Sequence, residues 1–220
     1  MTSEIHPLIL ILVSMLIGYA LGALPNGFLL LKLVKGQDIT KVGSGRTGGT
    51  NAMRAGGFGM GLATALLDIL KGFLSVTFAR WIAPDLVWAH VFAGAASVMG
   101  HNWSLWLYLL KGKWSAGAGA GPNTGAASAF WHPMLLLVIP LGFFMVIVVG
   151  YASLATISMA LLHVIVFVIL YTQGAPWEHI VFALITTSLV VFALRPNIKR
   201  LMEGTERRVG LFAEKNKKDT

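Results

Sequence analysis

The sequence predicts an all-α membrane protein, a bundle of about seven transmembrane helices with the N-terminus outside and the C-terminus in the cytoplasm. Of the 220 residues, 56% are apolar and only 12% are charged, whereas soluble domains carry about 25% charged residues. Several apolar segments reach the length of about 20 residues that a helix needs to cross a bilayer. Basic residues are concentrated in a few short regions, as they are in cytoplasmic loops.

Six apolar segments follow one another along the chain and are separated by polar or turn-forming residues. They are 8–31, 58–80, 87–109, 133–150, 153–172 and 177–194. All of the 17 Lys and Arg residues except Lys71 and Arg80 lie in 32–54, in 111–113 or after residue 194, so these three regions are predicted to be cytoplasmic. The residues before the first segment then lie outside, and this arrangement requires an odd number of crossings.

The missing crossing is assigned to residues 114–130, which are apolar and rich in glycine. Gly117, Gly121 and Gly125 are spaced by four, which places them on one helix face where another backbone can approach closely. Pro122 is predicted to kink this helix. We therefore expect a short, glycine-rich fourth span that is buried among the others, and a re-entrant segment is the alternative.

The chain is predicted to form a single polytopic membrane domain over residues 1–210, followed by a basic cytoplasmic tail at 211–220. No Lys or Arg precedes Lys32, so the first apolar segment is predicted to be a retained span and not a cleaved signal peptide. The basic tail is predicted to lie near lipid phosphates.

A loop rich in glycine and hydroxyl groups follows the first span and contains two arginines and no acid. It reads Gly43-Ser44-Gly45-Arg46-Thr47-Gly48-Gly49-Thr50-Asn51-Ala52-Met53-Arg54. Glycines allow a backbone to approach a ligand closely, and an arginine fork binds phosphate through two hydrogen bonds. The loop is predicted to bind a phosphate group, and the alternative is an ordinary turn whose arginines only fix the topology.

Several other classes of site and partner are excluded by the sequence. There is no cysteine and no histidine–acid cluster with the spacing of metal ligands, so we expect no disulfide, no metal and no cofactor. The spacing of Gly43, Gly45 and Gly48 matches the dinucleotide-binding fingerprint, but the strand and helix that this fingerprint requires are not predicted. Basic residues interleaved with aromatic residues are missing, so no nucleic-acid partner is expected.

Five further motifs accompany the loop in a fixed order. They are Gly18-Tyr19-Ala20-Leu21-Gly22-Ala23-Leu24-Pro25, Asp68-Ile69-Leu70-Lys71-Gly72, Gly100-His101, Tyr151-Ala152-Ser153-Leu154-Ala155-Thr156 and Asn197-Ile198-Lys199-Arg200-Leu201-Met202-Glu203-Gly204-Thr205-Glu206. With the loop, this set resembles the bacterial acyl-phosphate-dependent glycerol-3-phosphate acyltransferases of the PlsY type. The resemblance covers nearly the whole chain, and this family also has seven spans and an outside N-terminus.

The resemblance implies an enzyme of phospholipid synthesis in the bacterial inner membrane. Such an enzyme transfers an acyl group from acyl-phosphate to the 1-hydroxyl of glycerol 3-phosphate and gives lysophosphatidic acid, without acyl-CoA or acyl carrier protein. We expect a monomer whose partners are these two phosphates and the membrane lipids. No histidine is followed five residues later by an aspartate, so catalysis is expected to depend on positioning and electrostatic stabilisation.

The implied site residues come from the loop, from the motifs that begin at Tyr151 and near Asn197, and from a fourth, basic motif, Leu110-Lys111-Gly112-Lys113-Trp114-Ser115-Ala116. Ser44, Arg54 and Lys113 are expected to be catalytic, with Lys113 at the acyl-phosphate. Residues that are expected to bind substrate are Gly43, Gly45, Arg46, Thr47, Gly48, Thr50, Asn51, Ser153, Arg195 and Asn197, of which the last two would hold the glycerol phosphate.

Three positions depart from the family pattern. Arg46 stands where the family has an asparagine, Leu194 stands where it often has a histidine, and Lys113 aligns with the family lysine only across a gap. These departures favour an alternative hypothesis, a diverged and non-catalytic protein that binds a phospholipid or an acyl-phosphate. A third hypothesis is a small transporter, because broken helices often line transport sites, although no internal repeat is present.

Four polar residues in or next to predicted spans have two interpretations each, and a fifth, His163, has one. Asp68 and Lys71 lie three residues apart within a predicted span, where they form either a structural ion pair or a ligand site. His101 is either a catalytic base or a helix-packing hydrogen-bond partner. His163 is predicted to form an interhelical hydrogen bond. Ser153 is expected either to cap its helix or to contact substrate.

Overall fold

The computed structural model of the protein describes residues 6–114 and 116–210. Within these ranges the chain is all-α and contains no strand, which confirms the predicted fold class. The helices are α1 (Pro7–Gly22), α2 (Asn26–Lys35), α3 (Gly49–Gly56), α4 (Phe58–Ile82), α5 (Val87–Asn102), α6 (Leu105–Lys111), α7 (Ala120–Phe130), α8 (Met134–Phe144), α9 (Ala152–Thr172), α10 (Glu178–Ala193) and α11 (Arg195–Met202). A 3₁₀ turn at Ile39–Lys41 precedes α3, and a π-helical turn at Met145–Val149 extends α8.

Close helix contacts at small residues hold the bundle together. α1 packs along α5, and α4 packs along α7. Gly18 of α1 lies against the backbone of Ala93, and Gly22 lies against the backbone of Ser97, so neither position has room for a Cβ atom. In lipid, burial of apolar surface does not drive helices together, so van der Waals contact between closely packed backbones holds them instead.

Two of the predicted continuous spans are in fact broken. The segment 8–31 is interrupted before α2, where Pro25 lacks the N–H that would continue the helix. The segment 87–109 is interrupted at Trp103, and the Ser104 hydroxyl caps α6 by accepting a hydrogen bond from the amide of Leu107 at 3.0 Å. The two breaks are in contact, because the Ser104 hydroxyl also donates to the carbonyl of Ala23. Each break therefore stabilises the other.

Three segments of the described chain are long and apolar enough to cross a membrane, and they are Pro7–Lys35, Phe58–Ile82 and Ala152–Thr172. The pair α10 and α11, bent by 60°, is a fourth if it is one broken span. The number of crossings and the orientation of the termini stay predictions, as does the division into a membrane domain at 1–210 and a tail. Residues 211–220 lie outside the described residues.

The predicted fourth span is short, glycine-rich and buried, as expected. α7 contains 11 residues, so it extends about 16 Å, roughly half of a hydrocarbon core about 30 Å thick. Pro122 lies in the first turn of α7, where an amide has no intrahelical acceptor. The predicted kink is therefore wrong, because this proline helps to begin the helix. Whether the segment crosses or re-enters stays a prediction.

The hydrogen bond predicted for His163 is also wrong. This side chain is buried in α9, yet neither ring nitrogen has a hydrogen-bond partner among the described residues. Its helix neighbours Val166 and Phe167 belong to the main apolar core, so helix packing leaves the imidazole among hydrocarbon groups.

Candidate functional site

The glycine-rich loop between α2 and α3 is shaped by one buried side chain, that of Asn51. Its Oδ1 accepts a hydrogen bond from the amide of Ser44 at 3.1 Å, and its Nδ2 donates to the carbonyls of Val42 at 2.9 Å and Arg46 at 2.8 Å. Gly43 and Gly45 have φ values of 53° and 71°, a region that favours glycine. The Asn51 side chain therefore holds the loop in a closed bend. Its amide group is already engaged in hydrogen bonds with the loop backbone.

Two contacts attach this loop to the segment after α6. The backbone amide and the hydroxyl of Thr47 both donate to the carbonyl of Ala116, at 2.6 and 3.1 Å. Lys113 Nζ donates to the carbonyl of Thr40 at 3.3 Å. The loop and the residues on either side of position 115 are therefore joined in one layer, although they are distant in sequence.

A third attachment is the ion pair between Asp38 and Lys111, whose Nζ lies 2.6 Å from Oδ2 of the aspartate. Together with hydrogen bonds from Thr40, the hydrogen bond from Lys111 lowers the pKa of Asp38 to about 2. Since both side chains are partly exposed to solvent, the pair contributes modestly to stability.

α3 begins directly after the loop, and its first turn faces a large cavity. Gly48 precedes this helix, and no side chain caps it within the described chain. The first amides of an α-helix have no intrahelical acceptor, and the helix dipole makes this end partly positive. Gly48, Gly49 and Thr50 all line the cavity. The start of α3 is therefore suited to an anionic group.

The cavity has a volume of about 1050 Å³ and opens between the loop, α4, α7, α9 and α11. All three residues that were expected to be catalytic, Ser44, Arg54 and Lys113, line it. The expected substrate-binding residues that also line it are Gly43, Gly45, Arg46, Gly48, Thr50, Asn51, Ser153 and Asn197. Residues from four separate motifs therefore converge on one cavity.

The wall opposite the loop is organised by Glu206, whose side chain is 6% exposed. Its Oε1 accepts a hydrogen bond from Asn197 Nδ2 at 2.6 Å, and its Oε2 accepts one from Arg200 Nε at 2.7 Å. The hydroxyl of Ser153 lies 3.4 Å from Oε1, and no side chain caps the start of α9 in the described chain. Ser153 therefore joins this polar wall and does not cap its helix.

The polar end of the cavity carries an excess of positive charge. Its lining includes four arginines and two lysines, whereas two acidic residues line it; they are Arg46, Arg54, Arg200, Arg207, Lys41 and Lys113, and Asp68 and Glu206. Burial lowers the pKa of Arg46, and the nearby Arg200 lowers it further. Burial and the nearby Arg207 lower the pKa of Arg54 in the same way. Guanidinium groups that repel one another are stabilised when an anionic ligand binds between them.

The floor of the polar end contains the ion pair expected between Asp68 and Lys71. Lys71 Nζ lies 3.0 Å from Asp68 Oδ1 and donates to the carbonyl of Leu24 at 2.8 Å. Asn26 Nδ2 donates to the same carboxylate oxygen at 3.0 Å. The pair is buried and closes the break between α1 and α2, so its structural role is confirmed, and Asp68 also lines the cavity.

The other end of the cavity is apolar and lies between α4 and the helices α8 and α9. Its lining includes Leu62, Leu66 and Ile69 of α4, with Ile139, Phe143 and Met159 opposite them. One continuous cavity therefore joins a cationic pocket to a hydrocarbon-lined groove. This combination is suited to an amphiphile that carries an anionic head.

Comparison with known proteins identifies the family. A family model described as glycerol-3-phosphate acyltransferase matches residues 12–204. The chain belongs to this family. A glycerol-3-phosphate acyltransferase of Synechococcus sp. (strain CC9902) is 33% identical over 199 residues, which are 90% of this chain and 95% of the relative. One of Mesorhizobium japonicum is 34% identical over 201 residues, which are 91% of this chain and 96% of the relative.

Solved structures of the glycerol-3-phosphate acyltransferase PlsY also match this member of the family. The glycerol 3-phosphate form of PlsY, an integral membrane protein, matches with a TM-score of 0.77 and 30% identity and covers 91% of this chain and 96% of that chain. The lysophosphatidic acid form matches with a TM-score of 0.74 and 29% identity and covers 91% of this chain and 95% of that chain. The predicted family and the membrane location of this protein are therefore confirmed.

Two residues that were expected to bind substrate lie outside the cavity of this family member. Thr47 is buried, and its hydroxyl is used by Ala116. Arg195 is exposed at the start of α11, and its guanidinium carbon lies 3.9 Å from the ring centre of Phe192. Arg195 and Asn197 are two residues apart in α11 and do not share a helix face, and the face that carries Asn197 and Arg200 borders the cavity.

Arg46 takes a position that its sequence motif does not indicate. Its guanidinium extends to the opposite wall and donates to the carbonyl of Ala193, the last residue of α10, at 2.9 Å. That carbonyl precedes Leu194, which is buried and also lines the cavity. Two of the three departures from the family pattern are therefore neighbours in space, and Arg46 ties the loop to the junction of α10 and α11.

Sequence reasoning did not predict four charged residues that line the cavity, and they are Lys41, Arg200, Glu206 and Arg207. It left two interpretations open for Asp68 and His101, which also line the cavity. Arg200 and Glu206 belong to the motif that supplied Asn197. Arg200 lies three residues after Asn197 in α11, and this spacing indicates a shared helix face. Glu206 lies beyond the end of α11, so no helix spacing indicates it.

Proposed function

We propose that this protein transfers an acyl group from acyl-phosphate to the 1-hydroxyl of glycerol 3-phosphate in a bacterial inner membrane, where it acts as a monomer. The products are lysophosphatidic acid and inorganic phosphate. The observation that carries this proposal is the single cavity in which a pocket of four arginines and Lys113 continues into an apolar groove. Both substrates are anionic phosphates, and one of them carries a hydrocarbon chain.

The loop and Lys113 are assigned to the acyl-phosphate. Arg54 supplies a guanidinium fork, Ser44 supplies a hydroxyl, and the first amides of α3 supply backbone donors to phosphate oxygens. Lys113 adds a positive charge beside the loop, and its contact with Thr40 holds it there. The acyl chain then extends from this pocket into the groove between α4 and α8.

The opposite wall is assigned to glycerol 3-phosphate. Asn197 and Arg200 lie on one face of α11 and are fixed by Glu206, and they take the place first given to Arg195. Arg46 spans the space between the two walls, so its guanidinium can attract either phosphate. Ser153 lies at the same wall and is assigned to the glycerol hydroxyls.

These assignments give a reaction that depends on geometry and charge. The 1-hydroxyl oxygen attacks the acyl carbonyl carbon, a new ester C–O bond forms, and the C–O bond to the phosphate breaks. The phosphate leaves with the bonding electron pair, and the hydroxyl proton leaves with it. Holding the two substrates in one cavity makes the attack effectively unimolecular. The cationic groups stabilise the charge that develops on the oxygens.

The direct test is a transfer assay on purified, detergent-solubilised protein. Acyl-phosphate and glycerol 3-phosphate should give equal amounts of lysophosphatidic acid and inorganic phosphate. Acyl-CoA, or acyl carrier protein loaded with an acyl chain, should give neither when it replaces acyl-phosphate. A PlsY protein assayed alongside serves as the positive control, and light scattering in detergent tests the monomer.

The same assay separates the proposal from the alternative of a diverged binding protein. If acyl-phosphate raises the unfolding temperature but no lysophosphatidic acid forms while the PlsY control is active, the protein binds without transfer. Product formation from acyl-CoA at an equal rate would instead contradict the assignment of the donor.

A further inference from the structure

His101 lies at the end of α5, is 4% exposed and lines the polar end of the cavity. Its two ring nitrogens have different surroundings. Nδ1 lies 3.0 Å from Lys71 Nζ, on the side of the buried ion pair. The Nε2 edge faces Gly117, where an added Cβ would overlap the ring. Gly117 lines the same cavity.

The contacts of Lys71 decide which nitrogen carries the proton. An ammonium group has three hydrogens to donate and no lone pair with which to accept. The Lys71 ammonium has three acceptors in reach, and they are the Asp68 carboxylate at 3.0 Å, the carbonyl of Leu24 at 2.8 Å and His101 Nδ1 at 3.0 Å. Nδ1 must therefore accept, and an imidazole that accepts at Nδ1 carries its hydrogen on Nε2.

The other possible partner of Nδ1 does not change this assignment. Asp68 Oδ1 lies 3.8 Å from Nδ1, which is too long for a hydrogen bond. A doubly protonated ring would place a cation against the Lys71 ammonium with no lone pair to receive its hydrogen. The geometry is therefore that of a neutral imidazole with an N–H group at Nε2.

The Nε2–H group has no hydrogen-bond acceptor among the described residues, and the backbone beside it is glycine. A polar N–H group that is removed from water without an acceptor destabilises the state in which it is buried. Water that enters the cavity can satisfy this group, but a bound substrate displaces that water. A substrate oxygen then becomes the acceptor that is available.

We propose that His101 donates a hydrogen bond from Nε2 to an oxygen of the bound acyl-phosphate and does not act as a general base. This inference rests on the proposed function and deepens it. A base needs a lone pair that faces the substrate, and the only lone pair of this neutral ring is used by Lys71. The acceptor is a carbonyl or phosphoryl oxygen, both of which gain hydrogen-bond strength as negative charge develops.

Two amide substitutions separate the donor role from a structural one. His101→Asn places its amide oxygen near the position of Nδ1, so it keeps an acceptor for Lys71 and loses the donor. His101→Gln places its amide nitrogen near the position of Nε2, so it keeps the donor and loses the acceptor. We expect H101N to retain its unfolding temperature and lose about 100-fold in kcat/KM. We expect H101Q to unfold at a lower temperature, yet to exceed H101N at least ten-fold in kcat/KM.

The reverse pattern would overturn the inference. If H101N keeps the wild-type kcat/KM, or if both variants are equally inactive, His101 is not a donor to substrate. Nitrogen-15 NMR of histidine-labelled protein, assigned by comparison with H101N, reads the tautomer without any assay. Protonation of Nδ1 in that spectrum would also refute the inference. An inactive wild-type protein would contradict the proposed function, and the NMR experiment would still test the tautomer.

Discussion

Two glycine-rich segments border the same cavity, and they use glycine for opposite reasons. In the loop at 43–49, glycine allows the chain to bend, because Gly43 and Gly45 adopt positive φ values. In the segment 117–125, glycine allows helices to touch, because a Cβ on Gly125 would overlap the carbonyl of Ile69 in α4. A high glycine content therefore indicates a ligand site in the first case and close helix packing in the second.

The chemistry that the two segments contribute differs in the same way. The loop supplies a hydroxyl, two guanidinium groups and the amides at the start of α3. The segment 117–125 contributes backbone atoms and small side chains to the cavity wall, and the charges on this wall come from neighbouring residues such as Lys113. Substitutions in the loop should therefore reduce activity first, and substitutions in the buried segment should reduce stability first.

The largest effect is expected at Gly125, where α7 meets α4. Gly125→Ala places a methyl group on the carbonyl of Ile69, so the helices must separate, at a cost of about 3 kcal/mol. Thermal unfolding in detergent measures this loss. Gly59→Ala in α4 is the matched control, because a Cβ there meets nothing within 4 Å and alanine favours helix. Equal unfolding temperatures for the two variants would contradict the packing role of Gly125.

The next largest effect is expected on activity, from Arg54→Ala in the loop. Removal of this guanidinium takes away a charged donor to phosphate, and kcat/KM should fall about 100-fold while the unfolding temperature stays close to that of the wild type. Arg195→Ala is the control, since Arg195 lies over Phe192 outside the cavity. If R195A is as impaired as R54A, the site extends beyond the cavity and its assignment is wrong.

The comparison also shows how much of the site could be read from the sequence. Residue type and motif order were sufficient to predict that Ser44, Arg54, Lys113 and Asn197 share one site, and all four line the cavity. The placement of Arg195 beside Asn197 was wrong for a reason that the spacing already contains. The two residues are only two positions apart in α11, and residues at this spacing do not share a helix face.

Contacts that the sequence does not show account for the other site residues whose roles differ from the prediction. Thr47 has the residue type of a phosphate ligand, but the carbonyl of Ala116 uses its hydroxyl. Asn51 has the same ligand character, but it serves the loop backbone. The fold class was predictable because hydropathy alone decides it, whereas the breaks at Pro25 and Trp103 depend on polar contacts between helices.

A smaller effect, shared between stability and activity, is expected from Asn51→Ala. The variant leaves the Ser44 amide and the carbonyls of Ile39, Val42 and Arg46 without their partner, which should cost about 2 kcal/mol and raise KM as the loop opens. Thermal unfolding and a KM measurement for acyl-phosphate check both parts. Gln37→Ala, which changes an exposed amide in the same loop, should match the wild type. An unchanged KM in N51A would mean that the bent loop conformation is not needed for binding.

The smallest effect is expected at the ion pair of Asp38 and Lys111, which joins the chain before the glycine-rich loop to the end of α6. The pKa of Asp38 is lowered from 3.8 to about 2 in the folded protein, so the charged carboxylate favours folding above pH 3.8 and this contribution disappears as the pH falls toward 2. Because the pair is partly exposed, Asp38→Asn should cost about 1 kcal/mol at neutral pH. Thermal unfolding of both proteins from pH 7 to pH 3 should show the difference between them shrinking. Lys199→Ala, which removes an exposed pair with Glu203, should be nearly neutral, and a difference between wild type and D38N that stays constant with pH would exclude the carboxylate charge as its cause.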